Sequence, residues 1–285
     1  IFTSIVSIST VFYTARNYLH RTIFENVTKE LIIALYVYIA FYSVCLIFAQ
    51  GSQLVYRYLA TQKCDAQVPK AWCIFRYILT VITLTFGLIH VGITLQFLLS
   101  SLHFGKRALK VTTRLSIAAS FLFTLISAVI SYYKESLEGR TPYCTGWTQH
   151  SEGVRIRLAW LHFCTITILK NLYECELNGE RQKSRNSFDL SLSFHRRQIL
   201  YAMEQFLPVA VLNALFYLVF FCTTFVSRMI KSSMSQGWYL FMSVVVSMFP
   251  HYCYLCPLCF LILIKRGHFK RVSRLYFSAL KDQWN

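Results

Sequence analysis

Three kinds of side chain in this sequence could do chemistry, and most sit inside apolar stretches. Cys253, Cys256 and Cys259 recur at three-residue intervals (YCYLCPLC), the spacing at which thiolates can share a metal ion. The surrounding chain is free of charge from Ser232 to Ile264 and offers no fourth ligand of matching spacing. These cysteines therefore read as small hydrophobes, and no metal or other cofactor is expected. His90, His162 and His251 also fall in apolar runs. Converging on one cavity they could meet a polar ligand or a proton, but the expectation for each is a hydrogen-bonded interior residue. Glu204 is the acidic residue within an apolar stretch, and two readings stay open for it: a functional intramembrane carboxylate, or a side chain one turn from an interface. Catalytic signatures are missing. There is no HExxH, no GxSxG, no phosphate-binding loop and no pair of carboxylates within a run. No lysine between Ser232 and Ile264 could form a Schiff base, and no enzymatic activity is expected.

The elements that position these residues follow from where charge is absent. Of 285 residues, 55% are hydrophobic and 14% charged, and the mean hydropathy is +0.46. A soluble protein carries about a quarter charged residues, so this composition argues against a water-exposed enzyme, a coiled coil and a disordered chain. Charge-free runs extend over Leu31–Tyr56, Tyr77–Gly105, Leu115–Tyr133, Gln205–Ser227 and Ser232–Ile264. Each approaches or exceeds the roughly 20 residues that a helix needs to cross a bilayer, and none alternates with a charged face. Two shorter segments complete the set. Ile1–Ala15 begins with Ile rather than Met, and reads as the second half of a helix. Leu158–Leu169 reaches a useful length only if Arg155, Arg157 and Lys170 snorkel to the interfaces. The expectation is an all-α, seven-helix membrane bundle forming one domain over 1–285. Its spans lie near 1–15, 31–56, 73–101, 115–133, 154–173, 199–227 and 236–264, with the first helix truncated, the fifth short and a tail at 265–285.

Loop charge gives the direction. Nineteen Lys and Arg fall in alternate loops and the tail, against ten on the opposite side. The positive-inside rule then places the N-terminus outside and the tail in the cytoplasm. In this topology the sequon Asn26-Val27-Thr28 faces the cytosol and carries no glycan. Cys64, Cys73 and Cys144 lie on the oxidising outer side. Cys73–Cys144 is the favoured bridge and Cys64–Cys144 its rival, since sequence alone does not fix the pairing. Pro208, Pro250 and Pro257 interrupt the last two helices, where they are either hinges or static bends. In the tail, Phe269, Val272, Leu275 and Tyr276 alternate with Lys270, Arg271 and Arg274. That pattern suits an amphipathic helix lying on an anionic inner leaflet, and not nucleic-acid binding.

Several short motifs resemble those of the nematode serpentine chemoreceptors of the Sra superfamily (Sra, Srab and relatives). Cys64-Asp65 followed by Pro69-Lys70-Ala71-Trp72-Cys73 is similar to that family's cysteine-bracketed loop. Leu190-Ser191 with Phe194-His195, then Pro208, resembles its Leu-Ser-x-x-Tyr-Gln pattern and downstream proline. Tyr143-Cys144 and Pro257 also fit, so the resemblance spans nearly the whole chain. Two departures stand out: Gln96-Phe97 replaces a Glu-Arg pair, and the acidic and amide residues expected near Gln198-Ile199 are largely lost.

The resemblance implies a chemosensory receptor in a sensory-cell plasma membrane, in neuronal cilia, that binds a small molecule and signals through a heterotrimeric G protein. Ligand contacts are expected in the outer half of the bundle from Tyr77, Thr80 and Leu84, from Trp160 and His162, and from Trp238, Tyr239 and Met242. The G-protein-facing surface is expected at Lys106, Arg107, Lys110, His195, Arg196 and Arg197, with Glu204, Pro208, Pro250 and Pro257 as the switch. A membrane transporter is the rival from another class, although the halves show no inverted repeat. A non-signalling remnant of a receptor gene is the third reading.

Overall fold

A computed structural model describes residues 1–17, 26–59, 67–102, 104–132, 138–141, 190–229 and 250–266, with isolated positions between 164 and 178 and Ser235. Helix α1 spans Phe2–Asn17 and α2 Asn26–Leu59. A two-residue strand β1 (Val68–Pro69) and one turn of 3-10 helix (Lys70–Trp72) lead into α3, Cys73–Ser101. Helix α4 is Lys106–Tyr132, and strand β2 is Arg140–Thr141. The helical positions between 164 and 178 mark α5, α6 spans Leu190–Met229, and α7 occupies 250–266.

Within α2 the buried residues Thr28, Ile32, Leu35, Ile39, Tyr42, Leu46 and Ala49 step alternately by four and three. This is the seam of a helix that packs at a shallow angle along its neighbours. The opposite flank, Ile33, Val37, Phe41, Val44 and Phe48, is exposed yet entirely apolar. A water-facing flank would carry charge, so this one faces hydrocarbon. Helix α3 repeats the seam through Leu79, Ile82, Phe86, Ile89, Ile93 and Phe97. It is the central element, with α2, α4 and α6 packed around it. In the most apolar stretch of α3, 71% of residues are buried inside the protein, against 11% in α4. Helix α4 is therefore peripheral and lipid-facing. Among the described residues, α2, α3 and α4 are long and apolar enough to span a membrane.

Neighbouring helices run in alternating directions. Phe48 stacks on Phe75 at one end of the α2–α3 pair, while Gln96 bonds Thr28 at the other. Tyr217 of α6 reaches Thr83 of α3, and Phe206, three turns earlier, meets Phe97. In α7, Tyr252 contacts Phe86, whereas Phe260 lies against Tyr36 and Phe206. One end of the bundle holds Arg16, Lys29, the start of α4, the start of α6 and Lys265-Arg266. At the other end β1 and β2 pair antiparallel, Val68 with Thr141 and Pro69 with Arg140. The Lys70 amide donates to the Gly139 carbonyl at 3.0 Å. Gly139 holds φ of 88°, which a residue without Cβ adopts at no steric cost.

Helices α4 and α6 both begin about nine residues before the spans expected from charge. Lys106, Arg107 and Lys110, expected in a loop, form the first turns of α4, and His195, Arg196 and Arg197 lie within α6. Charge marks the edge of the hydrocarbon, whereas a helix continues through it wherever its hydrogen bonds continue. The side chains of Leu84 and of residues 195–197 lie outside the described set. So do Cys64, Cys144, Trp160, His162, Trp238, Tyr239, Met242 and the tail beyond Arg266.

Candidate functional site at the bundle centre

Several hydroxyls in the described helices bond the backbone of their own helix. Thr80, Thr83 and Thr94 donate to carbonyls one turn back, at Arg76 (3.1 Å), Leu79 (2.8 Å) and His90 (3.0 Å). Ser120 and Thr124 do the same in α4, each at 2.7 Å. This local bonding lets polar residues enter an apolar bundle without unmet donors. Those that reach beyond their own helix define the site.

His90 is the centre. Its Nδ1 lies 2.7 Å from the Phe86 carbonyl, and a carbonyl only accepts, so Nδ1 carries the proton. Nε2 of the neutral ring is then the acceptor for the Tyr252 hydroxyl at 3.3 Å. This link joins α3 to α7 across a core where His90 is 2% exposed and Tyr252 fully buried. Rings from four helices enclose it: Tyr42 and Phe86 with centroids 5.8 Å apart, Phe86 and Tyr252 at 5.4 Å, and His90 and Phe206 at 5.7 Å. Tyr217 closes the α6 side by donating to the Thr83 carbonyl, and Asn213, also fully buried, lies one turn earlier on the same helix.

Two further links tie the remaining helices. The Ser7 hydroxyl donates to the Cys253 carbonyl at 2.8 Å and lies 3.1 Å from the Ser43 hydroxyl, joining α1, α2 and α7. Near the Lys106 end, Gln96 Nε2 donates to Thr28 Oγ1 (3.0 Å), and its Oε1 accepts from Thr113 Oγ1 (3.4 Å). A single buried amide thus connects α2, α3 and α4. Close approach of α3 to α4 depends on Gly92, where an added Cβ would stand 2.9 Å from the Ser116 Cβ.

The residues singled out from sequence distribute unevenly around this centre. His90 belongs to it, but His251 is exposed and pairs edge-on with Tyr254. The interior role expected of His251 is therefore corrected: its neighbour Tyr252 takes the inward position. Cys253 and Cys256 are free thiols within the core, and Cys259 is partly buried beside them. Tyr77 packs against Val68 and Cys73 at the β1 end, and Thr80 lies one turn below. Cys73 is disulfide-bonded. Glu204 is exposed on α6, while Leu200 and Met203 face inward. Pro208 sits exposed within an unbroken α6, Pro257 is buried in α7, and Pro250 is half-buried at the first described position of α7. Ser7, Ser43, Asn213, Tyr217 and Tyr252 were not singled out from sequence. Their only signal there is a polar group in a charge-free run, and many such groups simply bond their own helix.

Comparison with curated proteins and with solved structures gives no match. A protein-family model, the serpentine type 7TM GPCR chemoreceptor Sra, matches residues 1–283. The match extends from α1 through the end of α7 and agrees with an all-helical bundle whose exposed flanks are apolar. This chain belongs to the Sra family of serpentine seven-transmembrane chemoreceptors.

Proposed function

We propose that this receptor binds a small chemical cue in the half of the bundle nearest β1 and β2, and signals through a heterotrimeric G protein at the opposite end. The observation that carries the reading is the His90–Tyr252 bond with Phe206 against the same histidine, because α3, α6 and α7 meet there at one buried point. A ligand that shifts α3 or α7 must repack that point, and repacking a close-packed contact favours discrete arrangements over gradual ones. Tyr77 and Thr80 of α3 are assigned to the ligand side, and Leu84, at the next register position of the same helix, is proposed with them. Trp160, His162, Trp238, Tyr239 and Met242 are proposed as their partners, and the Cys73 disulfide, with Cys144 in preference to Cys64, holds the entrance.

On the other side the G protein meets Lys106 and Lys110 together with the start of α6 at His195, Arg196 and Arg197. Arg107 is exposed on the flank of α4 opposite buried Leu109 and Thr113. Switching is assigned to Glu204 and to Pro208, Pro250 and Pro257. Gathering of basic helix ends at the Lys106 side supports placing that side in the cytoplasm of a sensory-cell plasma membrane. The test is a calcium or cAMP response in cells expressing the full-length receptor at the surface. A ligand-dependent response that His90→Phe or Tyr252→Phe weakens is the expected result. Silence across a broad odorant panel, with surface expression shown, refutes the reading.

A further inference from the structure

Helix α4 carries an arrangement that the receptor reading leaves unused. Arg107, Lys110 and Arg114 are exposed, and Arg107 and Arg114 lie two turns apart on the flank turned away from the other helices. Leu109, Thr113 and Ser120 are the buried residues of α4 and fix the opposite, inward face. The outward flank continues without a break into Leu115, Leu122 and Val129, which are 63%, 55% and 63% exposed, with Ala118 between them. No acidic residue occupies the first turn of α4. Among the described residues, none of these three basic side chains has an ion-pair or hydrogen-bond partner. Cations at a helix N-terminus also oppose the helix dipole, so an external anion is favoured there twice over.

We infer that the flank of α4 running from Arg107 to Val129 binds an anionic phospholipid, its headgroup phosphate held by Arg107 and Arg114 and its acyl chain laid along Leu115, Ala118 and Leu122. Chemistry and geometry both select this occupant. A guanidinium offers paired donors that match phosphate oxygens, and the two arginines stand about 10 Å apart along the axis, a spacing that a headgroup and its phosphate can bridge. From Arg114 to Val129 the apolar flank extends about 22 Å, more than the roughly 15 Å of hydrocarbon in one leaflet. An acyl chain anchored at the arginines therefore meets apolar surface through its whole depth. A soluble protein docking on the end of the bundle would not cover this flank, which shares its direction with residues that face lipid. The inference needs the chain to be in a membrane but does not need it to couple to a G protein.

Full-length receptor in detergent, mixed with phosphatidylserine and phosphatidylcholine of the same acyl chains, tests this by native mass spectrometry. Wild type is expected to retain phosphatidylserine over phosphatidylcholine about tenfold, the scale of one to two basic contacts with an anionic lipid. R107Q/R114Q is expected to bring that ratio near one, and K265Q/R266Q to leave it in place. Equal retention of the two lipids by wild type, or an unchanged ratio in R107Q/R114Q, overturns the inference. A second measurement needs no variant: photoactivatable phosphatidylserine, in phosphatidylcholine vesicles holding the wild-type receptor, should label peptides within 107–129. Labelling confined to other helices overturns it. So does a R107Q/R114Q receptor that loses G-protein activation in pure phosphatidylcholine while keeping its lipid preference, which would assign the arginines to a protein partner.

Discussion

Gln96 shows how much one side chain can hold in this bundle. Its amide donates to Thr28 and accepts from Thr113, so its loss strands two buried hydroxyls on two helices. Q96L should lower stability by about 1–3 kcal/mol, measured as thermal unfolding of the purified receptor in detergent. The triple variant T28V/Q96L/T113V should recover most of that loss, because it removes the stranded partners as well; a triple variant worse than Q96L would contradict this account. Gly92 makes the complementary case in packing. G92L must push the Ser116 side chain and α4 aside, at a cost of about 1–3 kcal/mol. The milder G92A should be rescued by S116G, and additive losses in that pair would show that the two residues are not in contact.

At the scale of elements, the sequence carried the existence of the helices and little about their faces. Charge-free runs mark α2, α3 and α4 because a bilayer excludes charge. Within those runs nearly every position is apolar, so the seam through Ile32, Ile39 and Leu46 looks no different from the flank at Ile33, Val37 and Val44. Rotational phase is decided by the neighbours a helix meets, which local composition does not encode. For the same reason His251 could not be told from Tyr252, one residue and about 100° of helix away. Helix ends were hidden too, because Lys106–Arg114 and Leu190–Arg197 continue as helix past the last apolar residue. The family was more legible than the site, since short motifs around Cys73 and Pro208 survive without any knowledge of packing. One element-scale prediction concerns the loop that β2 brings to β1. With Gly139–Thr141 held against Val68–Lys70, peptide mapping of unreduced receptor should recover Cys73 linked to Cys144. C73S should destabilise by about 2–4 kcal/mol, and a Cys64–Cys73 peptide would assign the bridge within the first outer loop instead.

Across the whole molecule, the alternation of helices sends Asn26, Lys106, Leu190 and Arg266 to one end. If that end is cytoplasmic, Asn26 carries no glycan in a eukaryotic cell, and an enzymatic deglycosylation shift traced to Asn26 would invert the topology. The same geometry has a mechanical consequence in α6. Its 40 residues form a rod about 60 Å long, twice the hydrocarbon thickness of about 30 Å. Pro208 and Phe206 sit near its middle, about 27 Å from Leu190, and Phe206 bears on His90. The helix is thus a lever with its fulcrum at the buried centre. A bend of about 10° at Pro208, small beside the kinks of more than about 20° that proline commonly makes, sweeps the Leu190 end through about 5 Å. A displacement too slight to register inside the core becomes, at the far tip, a movement as wide as one helical turn.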